Sequence, residues 1–268
     1  MEKYDSIGKT YDATRKADFR ITKTILDCLG IGDAKGIVAD IGAGTGNYTY
    51  ELAKQGLKLL AVEPSEIMIQ QGKKHANIEW CKGKAEQIPI EAGSVDGVIC
   101  ILATHHFTNL EKSLNEMYRI LKSKGKMVIF TFDPRLCSDE CWFSKYFPKA
   151  ISEAYEIHPP IDHFQDLIES IVKNDVKVID YSLPCDLEDG FFFSGWRKPE
   201  LYLNEAYCAG ISSLAKLPKE ELTDSLTKLR LDLESGKWEE KYGKLLQTEY
   251  YDCGYRFLVA NKDSHLCW

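Results

Sequence analysis

A glycine-rich turn that follows a short, mostly apolar run constrains the fold of this chain more than any other feature. Residues 36–41 form the run, and the segment Asp40-Ile41-Gly42-Ala43-Gly44-Thr45-Gly46-Asn47 continues from it. A run of this length predicts a buried strand, and glycine lets the backbone approach a ligand closely. Ligands of open α/β sheets bind beyond the carboxyl ends of the strands. The segment therefore predicts a strand, a ligand-binding turn and a helix that begins near Asn47.

The spacing of these glycines distinguishes between kinds of nucleotide-binding turn. A dinucleotide fingerprint, G-x-G-x-x-G, would place its third glycine where Asn47 stands, and the chain contains no G-x-x-x-x-G-K-[ST] phosphate loop. S-adenosylmethionine (SAM) carries no pyrophosphate and presents an ammonium group, for which the carboxylate of Asp40 is a suitable partner. Glu63 ends the next predicted strand, where an acidic side chain can accept both ribose hydroxyls, as also happens in dinucleotide-binding proteins. The glycine spacing therefore argues against a dinucleotide fingerprint and excludes a phosphate loop.

Predicted strands and helices alternate over residues 36–134. Apolar runs predict further strands at residues 57–62, 78–81, 95–102 and 126–132, and later at 176–183 and 251–261. A helix over residues 65–75 is capped by Ser65, and Thr108 with Glu111 fits a capping box before the next helix. This alternation predicts an α/β fold, a Rossmann-like and mostly parallel seven-stranded sheet with helices on both faces.

The segments outside this alternation divide the chain into six parts. We expect an N-terminal lid and first helix (1–35), a SAM-binding core (36–134), a first cap insertion (135–175), a core strand (176–184), a second cap insertion (185–249), and a final strand with a tail (250–268). The first helix carries an apolar stripe of Phe19, Thr22, Ile25, Leu26 and Leu29. The aromatic-rich insertions fit either a cap of helices over the ligand edge of the sheet or a helical subdomain packed for stability.

Composition narrows the classes of partner and compartment. The net charge of −7 opposes binding to nucleic acid phosphates. The apolar runs are too short to span a bilayer, and the N-terminus lacks the apolar core of a secretion signal. Nine scattered cysteines, without a pair of C-x-x-C motifs, predict free thiols in a reducing compartment. We therefore expect a cytoplasmic protein, monomer or homodimer, with no bound metal, no nucleic acid partner and no membrane partner.

Several motifs, in order and at the right spacing, resemble those of class I SAM-dependent methyltransferases that act on small molecules. They are the Asp40–Gly46 turn, Glu63-Pro64-Ser65-x-x-Met68, Gly83-x-Ala85-Glu86-x-x-Pro89, Ser94-Val95-Asp96 with His105-His106-Phe107, and Tyr118-Arg119-Ile120-Leu121-Lys122 before Gly125-Lys126. The resemblance is specific over residues 36–134. Residues 195–200 and 233–238 also resemble segments of bacterial members. The resemblance implies transfer of a methyl group from SAM to a small-molecule acceptor by in-line displacement, with S-adenosylhomocysteine (SAH) as product.

The resemblance also implies roles for individual residues. The cofactor-binding set is Tyr11, Arg15, Asp40, Gly42, Gly44, Gly46, Glu63, Ala85, Glu86 and Leu102. Within it, Asp40 with the glycines holds the methionine end, Glu63 the ribose and the Ala85 backbone the adenine. Tyr11 and Arg15 close over the methionine carboxylate. Many family members have aspartate where this chain has Lys84, so backbone contacts must suffice for the adenine amino group.

Histidines are the candidate proton acceptors. A base is required only if the acceptor atom must lose a proton, and imidazole titrates near neutral pH. His105 and His106 follow the fourth predicted strand and are the first candidates for a catalytic role or for the pocket wall. His158 and His163 flank a Pro159-Pro160 pair and are either further candidates or loop residues.

Other functions remain open on sequence alone. A nicotinamide-dependent oxidoreductase is disfavoured by Asn47, and a non-catalytic SAM-binding protein would keep the same turn. Cys137 and Cys141 follow the fifth predicted strand, and thiolates bind soft metalloids, so an arsenite-type methyltransferase is a minor alternative. An RNA substrate is disfavoured because Ala103-Thr104-His105-His106 stands where base-modifying relatives carry Asn-Pro-Pro-Tyr.

Overall fold

A seven-stranded sheet forms the centre of the protein. The computed structural model describes residues 15–31, 36–137 and 141–263. The strands of the sheet are β1 Ile37–Ile41, β2 Lys58–Glu63, β3 Ile78–Lys82, β4 Val95–Ile101, β5 Leu121–Phe132, β6 Lys177–Asp180 and β9 Tyr255–Asn261. Their order is β3-β2-β1-β4-β5-β9-β6, and β9 runs antiparallel to both of its neighbours while β1 to β5 pair in parallel. The predicted Rossmann-like, mostly parallel seven-stranded sheet is confirmed.

Helices cover both faces of this sheet. The α-helices of the described residues are α1 Phe19–Leu29, α2 Asn47–Lys54, α3 Glu66–Gln71, α4 Leu110–Ile120, α5 Phe143–Tyr146, α6 Pro148–Ile157, α7 Ile161–Val172, α8 Glu205–Ala209, α9 Ser212–Ala215, α10 Lys219–Glu234 and α11 Lys237–Tyr242. Short 3₁₀ helices span Thr104–His106, Pro134–Leu136, Pro199–Leu203 and Gly243–Gln247. No helix in these described ranges combines the length and apolar character needed to cross a bilayer.

Side chains of β5 alternate between two hydrophobic clusters. Val128 and Phe130 pack into one cluster with α1 and α2, whereas Met127 and Ile129 pack into the other with α4 and α7. Successive strand residues point to opposite faces, so a strand covered on both sides reads as a continuous apolar run. This double coverage leaves the carboxyl ends of the parallel strands as the place where a ligand can enter.

The first helix differs from its predicted apolar stripe at one residue. The side chain of Asp18 accepts a hydrogen bond from the backbone N–H of Arg20 and caps α1, which ends at Gly30 with a φ of 60°. Phe19, predicted to be part of the stripe, is 68% exposed, and its ring lies under the guanidinium of Arg20. The buried face instead carries Ile21, Thr22, Ile25, Cys28 and Leu29.

The predicted capping box at the start of α4 is wrong. The side-chain oxygen of Asn109, not Thr108, caps the helix by accepting a hydrogen bond from the backbone N–H of Lys112 at 2.9 Å. The hydroxyl of Thr108 instead donates to Glu86 at 2.8 Å. The carboxylate of Glu86 therefore binds the hydroxyl group that the local pattern assigned to the start of the helix. The helix is capped by the next residue, Asn109.

Two predicted strands are shorter than expected, because their outer ends leave the main sheet. Leu183–Pro184 and Tyr250–Tyr251 form β7 and β8, a separate two-stranded antiparallel sheet. Residues 181–182 and 251–254 therefore do not extend β6 and β9.

The helix predicted over residues 65–75 is also shorter than expected. It ends at Gly72, whose α-carbon lies so close to the Trp80 ring that an added Cβ would stand 2.4 Å from it.

The two insertions carry most of the large buried aromatic side chains. Trp142, Phe143 and Tyr146 are buried, as their helical spacing predicts, and pack with Tyr202 and Trp238 of the second insertion. Helix α7 lies within the predicted first insertion but packs in the cluster that contains α4 and one face of the sheet. Helix α7 therefore covers a face of the sheet, and the part of the first insertion that can contribute to a cap lies before residue 161.

Candidate active site

A cavity of about 550 Å³ lies at the carboxyl ends of β1, β2, β4 and β5. One part of its wall comes from the sheet edge, with Asp40 and the glycine turn, Glu63, Ala85 and Leu102. Another part comes from the insertions, through residues 157–158, 189, 191–192 and 210–213. The cavity thus brings together residues that are up to 240 positions apart along the chain, from Arg15 to Tyr255.

The glycine turn has a backbone that side chains would disturb. Gly42, Gly44 and Gly46 have φ values of 77°, 58° and 78°, in the left-handed region that favours glycine. A Cβ added at Gly42 would stand 2.6 Å from the Cβ of Ala103. The N–H of Gly42 donates to the carbonyl of Val62 at 2.9 Å, so the turn is also tied to β2. The predicted strand, turn and helix start are confirmed, because α2 begins at Asn47.

Asp40 is a buried carboxylate at the end of β1. It is 3% exposed, and its Oδ2 accepts a hydrogen bond from the hydroxyl of Thr49 at 2.6 Å. Burial raises the pKa of Asp40 to about 7, the hydroxyl of Thr49 lowers it in part, and the charge of Glu63 raises it further. A buried carboxylate of this kind would be stabilised in its charged form by a nearby cation.

Glu63 holds the glycine turn in place as well as facing the cavity. Its Oε2 accepts a hydrogen bond from the backbone N–H of Gly44, and its Oε1 accepts one from the N–H of Ser65, both at 3.0 Å. Each carboxylate oxygen has a second lone pair, so both can accept a further donor. The predicted role of Glu63 in binding the ribose is therefore compatible with its two hydrogen bonds to the backbone.

The segment after β3 contributes Ala85 and Glu86 to the cavity wall. Ala85 is buried, whereas Glu86 turns toward the start of α4 and accepts hydrogen bonds from the N–H and hydroxyl of Thr108 and from the N–H of Asn109. Burial raises the pKa of Glu86, but these hydrogen bonds outweigh it and hold the pKa below its usual value. Glu86 thus links the segment after β3 to the start of α4.

Leu102 has an uncommon backbone conformation at the end of β4. Its φ is 52°, although it is not glycine, and its N–H donates to the carbonyl of Phe130 at 2.8 Å. The left-handed conformation costs an L-residue roughly 1–2 kcal/mol. The hydrogen bond to β5 holds Leu102 in this conformation. Leu102 lines the cavity, and its position beside the cofactor stays a prediction.

Arg15 lines the cavity and is held by a buried acid from the second insertion. Its Nε donates to Oδ1 of Asp189 at 2.5 Å and its Nη2 to Oδ2 at 3.2 Å, while the hydroxyl of Tyr48 donates to the same Oδ2 at 2.9 Å. Asp189 is 1% exposed. Tyr11, the other residue predicted to close over the methionine carboxylate, lies outside the described residues.

Three histidines meet at the wall formed by the 3₁₀ helix after β4 and the first insertion. The ring centroids of His105 and His106 are 3.7 Å apart, and those of His105 and His158 are 4.7 Å apart. The Nδ1 atoms of His105 and His158 are buried without a hydrogen-bond partner among the described residues. His163, by contrast, lies exposed on α7 and does not line the cavity.

Burial keeps two of these imidazoles neutral. It lowers the pKa of His158 to about 3, with further lowering by the charges of Arg135 and Lys216. Burial also lowers the pKa of His105 well below its usual value, and the neighbouring histidines, Lys216 and Arg15 add to this shift. Both side chains are therefore uncharged at neutral pH.

Other site residues were not predicted, and one predicted cluster lies elsewhere. Tyr48, Asp189, Phe191 and Phe192 line the cavity, but their neighbours along the chain carry no motif that indicates a ligand. Cys137 hydrogen bonds with Cys141 and Cys253, and none of the three lines the cavity. Within the described residues, no group of three or more His, Cys, Asp or Glu side chains has a metal-binding arrangement.

Comparison with known proteins gives a consistent set of relatives. Residues 39–129 match the model of a methyltransferase domain. A crystal structure described as a methyltransferase from an antibiotic biosynthesis pathway of Anabaena variabilis is 43% identical, with a TM-score of 0.89, and the match covers 92% of this chain and 98% of that one. A Dictyostelium discoideum protein described as a methyltransferase is 33% identical over 49% of each chain.

More distant proteins share the fold. Phosphoethanolamine N-methyltransferase 2 of Haemonchus contortus, solved in complex with S-adenosyl-L-methionine, is 16% identical with a TM-score of 0.63, and the match covers 96% of this chain and 57% of that one. The chain spans about half the length of the curated relatives that it matches.

Proposed function

Because the chain belongs to the class I SAM-dependent methyltransferase family, we propose that it transfers the methyl group of SAM to a small-molecule acceptor held in the cavity. SAM is the cofactor of this family, and SAH is the product that remains. Family membership sets aside the nicotinamide-dependent oxidoreductase that the sequence left open.

The chemistry of the sheet edge supports binding of this cofactor. Asp40 and Glu63 bring two buried carboxylates to one end of the cavity, and no cation is among the described groups that shift the pKa of Asp40. The ammonium group of a bound methionine end would supply that positive charge. Arg15 would face the methionine carboxylate, Glu63 the ribose hydroxyls and the Ala85 backbone the adenine. Glu86 would act indirectly, by fixing the segment that carries Ala85.

The residues of the chain then have to bind, orient and exclude water. When bound, SAM supplies a methyl group that a sulfonium has already activated, so the protein contributes chiefly position and a dry site. Leu102 and the aromatic side chains opposite it would restrict the direction of approach. A catalytic role for His105 or His106 stays a prediction, and the low basicity of the half-buried His105 suits acceptance of a hydrogen bond better than removal of a proton.

One observation carries the proposal of a small acceptor: the cavity that contains the predicted cofactor residues is also lined by residues of the two insertions. A volume of about 550 Å³ lies within the usual range of small-molecule sites, about 300–1,000 Å³. We accordingly propose that residues 141–160 and 185–249 act as a cap over the sheet edge. A site of this size has room for a metabolite beside the cofactor and not for a folded macromolecule.

Calorimetric titration with SAM and with SAH tests the cofactor. Wild-type protein should bind both, whereas Gly44→Arg and Glu63→Ala should lose binding because they block or release the turn. Gly93→Arg is a matched control, since Gly93 also has a positive φ, 62°, and a Cβ there meets no atom within 4 Å. Absence of SAH binding in the wild-type protein, or equal loss in the control, would contradict the proposal.

Transfer of a labelled methyl group tests the acceptor. Protein and methyl-labelled SAM are incubated with a cell extract that has been separated by dialysis into small molecules and retained macromolecules. With wild-type protein, labelled product is expected in the small-molecule fraction. With Gly44→Arg, no labelled product should form. Label that appears in the retained fraction alone would overturn a small-molecule acceptor while leaving SAM as cofactor.

A further inference from the structure

We infer that Asp189, an acid of the second insertion, is a positioning residue for the cofactor. It holds the guanidinium of Arg15 in the orientation that binds the methionine carboxylate, and it thereby joins the second insertion to the cofactor half of the cavity. The inference rests on the proposed function, in which Arg15 faces that carboxylate. The role is not evident from charge alone, since an isolated aspartate would repel a carboxylate ligand.

Asp189 occupies one edge of the Arg15 guanidinium. Nε of Arg15 donates to Oδ1 of Asp189 at 2.5 Å, and Nη2 donates to Oδ2 at 3.2 Å. Paired hydrogen bonds of this kind fix the plane of a guanidinium as well as its position. Nη1 and the second hydrogen of Nη2 form another edge of the same planar group, which is directed away from Asp189. Arg15 can therefore be held by one acid and still present N–H groups to a second one.

The accessible member of this ion pair is the arginine. The side chain of Arg15 is 13% exposed and lines the cavity, whereas the side chain of Asp189 is 1% exposed. Oδ2 of Asp189 accepts a further hydrogen bond, at 2.9 Å, from the hydroxyl of Tyr48, which lies in the first turn of α2 directly after the glycine turn. A carboxylate that is buried among three donors cannot turn toward a ligand without breaking those bonds. Asp189 thus acts on a ligand through Arg15.

The chain on both sides of Asp189 is held as well. The backbone N–H of Glu188 donates to Oδ2 of Asp18, the residue that caps α1, at 3.2 Å. The ring centroid of Phe191 lies 5.9 Å from Cζ of Arg15, which is within the range of a cation–π contact. One short segment of the second insertion therefore bounds the guanidinium at an edge and at a face.

Such an arrangement lowers the cost of binding a carboxylate. A long arginine side chain loses rotamer freedom when it contacts a ligand, and a side chain that is already held loses less. Glu63 and Ala85, the predicted partners of the ribose and the adenine, come from the ends of other strands. We therefore expect the contact between Asp189 and Arg15 to affect binding of the carboxylate end of the cofactor and not binding of its adenosine.

Two ligands that differ only in the carboxylate test this role. They are SAH and decarboxylated SAH, which keeps the adenosine, the sulfur and the ammonium end. Binding of each to the full-length protein is measured by calorimetry. Wild-type protein should bind SAH at least about tenfold more tightly, because hydrogen bonds between charged groups are the strong class.

Asp189→Asn should reduce this preference for SAH selectively. The asparagine amide has one accepting oxygen for the three donors that surround Asp189, so the guanidinium is released from its fixed orientation. We expect the preference to fall about fivefold, while the affinity for decarboxylated SAH stays within about twofold of wild type. A role in stability alone would instead weaken binding of both ligands.

Asp186→Asn is the matched control, because it makes the same substitution three residues earlier. Asp186 is 71% exposed and pairs with Arg20 at the surface, so the preference should stay within about twofold of wild type. Arg15→Met tests whether Asp189 acts through the arginine. In that variant the added Asp189→Asn substitution should change the preference no further.

Tyr48→Phe is a milder variant for the case in which Asp189→Asn does not fold. It removes one donor to Asp189, and the preference should fall about threefold with the affinity for decarboxylated SAH unchanged. An unchanged preference in that case would overturn the inference. So would equal binding of SAH and decarboxylated SAH by the wild-type protein, or SAH affinity that rises in Asp189→Asn because the aspartate competes for Arg15. Absence of SAH binding in the wild-type protein would instead contradict the proposed function itself.

Discussion

The carboxylate of Glu63 and the backbone N–H of Gly44 are joined by a hydrogen bond of 3.0 Å between the ends of two adjacent strands. The acidic residue that family resemblance assigns to the ribose therefore also fixes the shape of the turn that faces the methionine end. Because one side chain serves both parts of the site, a change at Glu63 is expected to affect the whole cofactor and not its ribose alone.

Glu63→Gln tests this dual role with a nearly isosteric side chain. An amide has one acceptor oxygen, so its NH₂ group would face either the N–H of Gly44 or that of Ser65. Hydrogen bonds to charged groups contribute about 1.5–3 kcal/mol, and we expect SAH affinity to fall about ten- to a hundredfold. Isothermal titration calorimetry measures the change.

Glu66→Gln, three residues further on, is the control for this prediction. Glu66 is exposed and pairs with Lys82 on the surface. Its substitution should leave SAH affinity within about twofold, as surface ion pairs contribute little. Equal affinities for Glu63→Gln and wild-type protein would show that the Glu63 carboxylate does not hold the turn.

Asp40 should make cofactor binding depend on pH. Its pKa of about 7 means that the carboxyl group is largely protonated below that pH and cannot pair with an ammonium group. SAH affinity should therefore rise with pH through about 7, by up to about tenfold per pH unit below it. In Asp40→Asn the affinity should be weaker and nearly independent of pH between 5.5 and 8.5. A wild-type titration without such a slope would contradict the role of Asp40.

The same carboxylate should destabilise the ligand-free protein at high pH. Between its usual pKa of 3.8 and the folded value of about 7, the folded state keeps a proton that the unfolded state releases, so the free energy of unfolding falls as pH rises. The Asp40→Asn substitution removes this decrease in the free energy of unfolding, and the asparagine amide oxygen can still accept a hydrogen bond from Thr49. We expect the variant to be more stable than wild type by about 2–4 kcal/mol at pH 8 and to show little difference at pH 4, as urea unfolding would reveal.

The ion pair of Arg15 and Asp189 predicts non-additive effects of mutation. Arg15→Met leaves the carboxylate of Asp189 buried without its cation, which should cost about 3–5 kcal/mol of unfolding free energy. The double variant Arg15→Met/Asp189→Leu removes the stranded charge and should be more stable than Arg15→Met alone. A double-mutant cycle by chemical denaturation measures the coupling, and simple additivity of the two changes would contradict a direct interaction.

Lys124 offers a test of backbone strain away from the cavity. It is exposed and has a φ of 65°, in the part of β5 where the pairing with β4 shifts register, and its N–H donates to the carbonyl of Lys262. Glycine avoids the left-handed cost of about 1–2 kcal/mol but loses more chain entropy, so Lys124→Gly should stabilise the protein by about 0.5–1 kcal/mol. Lys112→Gly, on the exposed face of α4, should instead destabilise it by about 1 kcal/mol. Both values follow from urea unfolding midpoints.

Local patterns predicted the elements that local physics governs. The strand before the turn, the start of α2 at Asn47 and the cap of α3 by Ser65 follow from residues within a few positions of each other. The alternation of apolar strands and amphipathic helices was sufficient for the sheet as well, because a parallel strand that is covered on both faces has to be apolar throughout.

The failures occur where the surroundings of a side chain differ from what the local pattern predicts. Thr108 was assigned to the helix terminus, but the carboxylate of Glu86 binds its hydroxyl from 22 positions away. Phe19 fits the helical stripe by spacing, yet it is the first residue of α1 and lies at the surface. The spacing of residues along the chain shows periodicity, but it does not show which groups surround each side chain in the fold. Neither outcome could therefore be predicted from the sequence.

The sequence by itself determined the half of the site that is built from consecutive residues: the glycine turn after β1, the acid after β2 and the segment after β3. The tertiary structure decided the other half, since Arg15 meets Asp189 across 174 positions and His105 meets His158 across the first insertion. The physical reason is that a turn is shaped by the φ and ψ preferences of its own residues. A wall between an insertion and a sheet depends on how large aromatic side chains pack, and no periodicity in the chain encodes that packing.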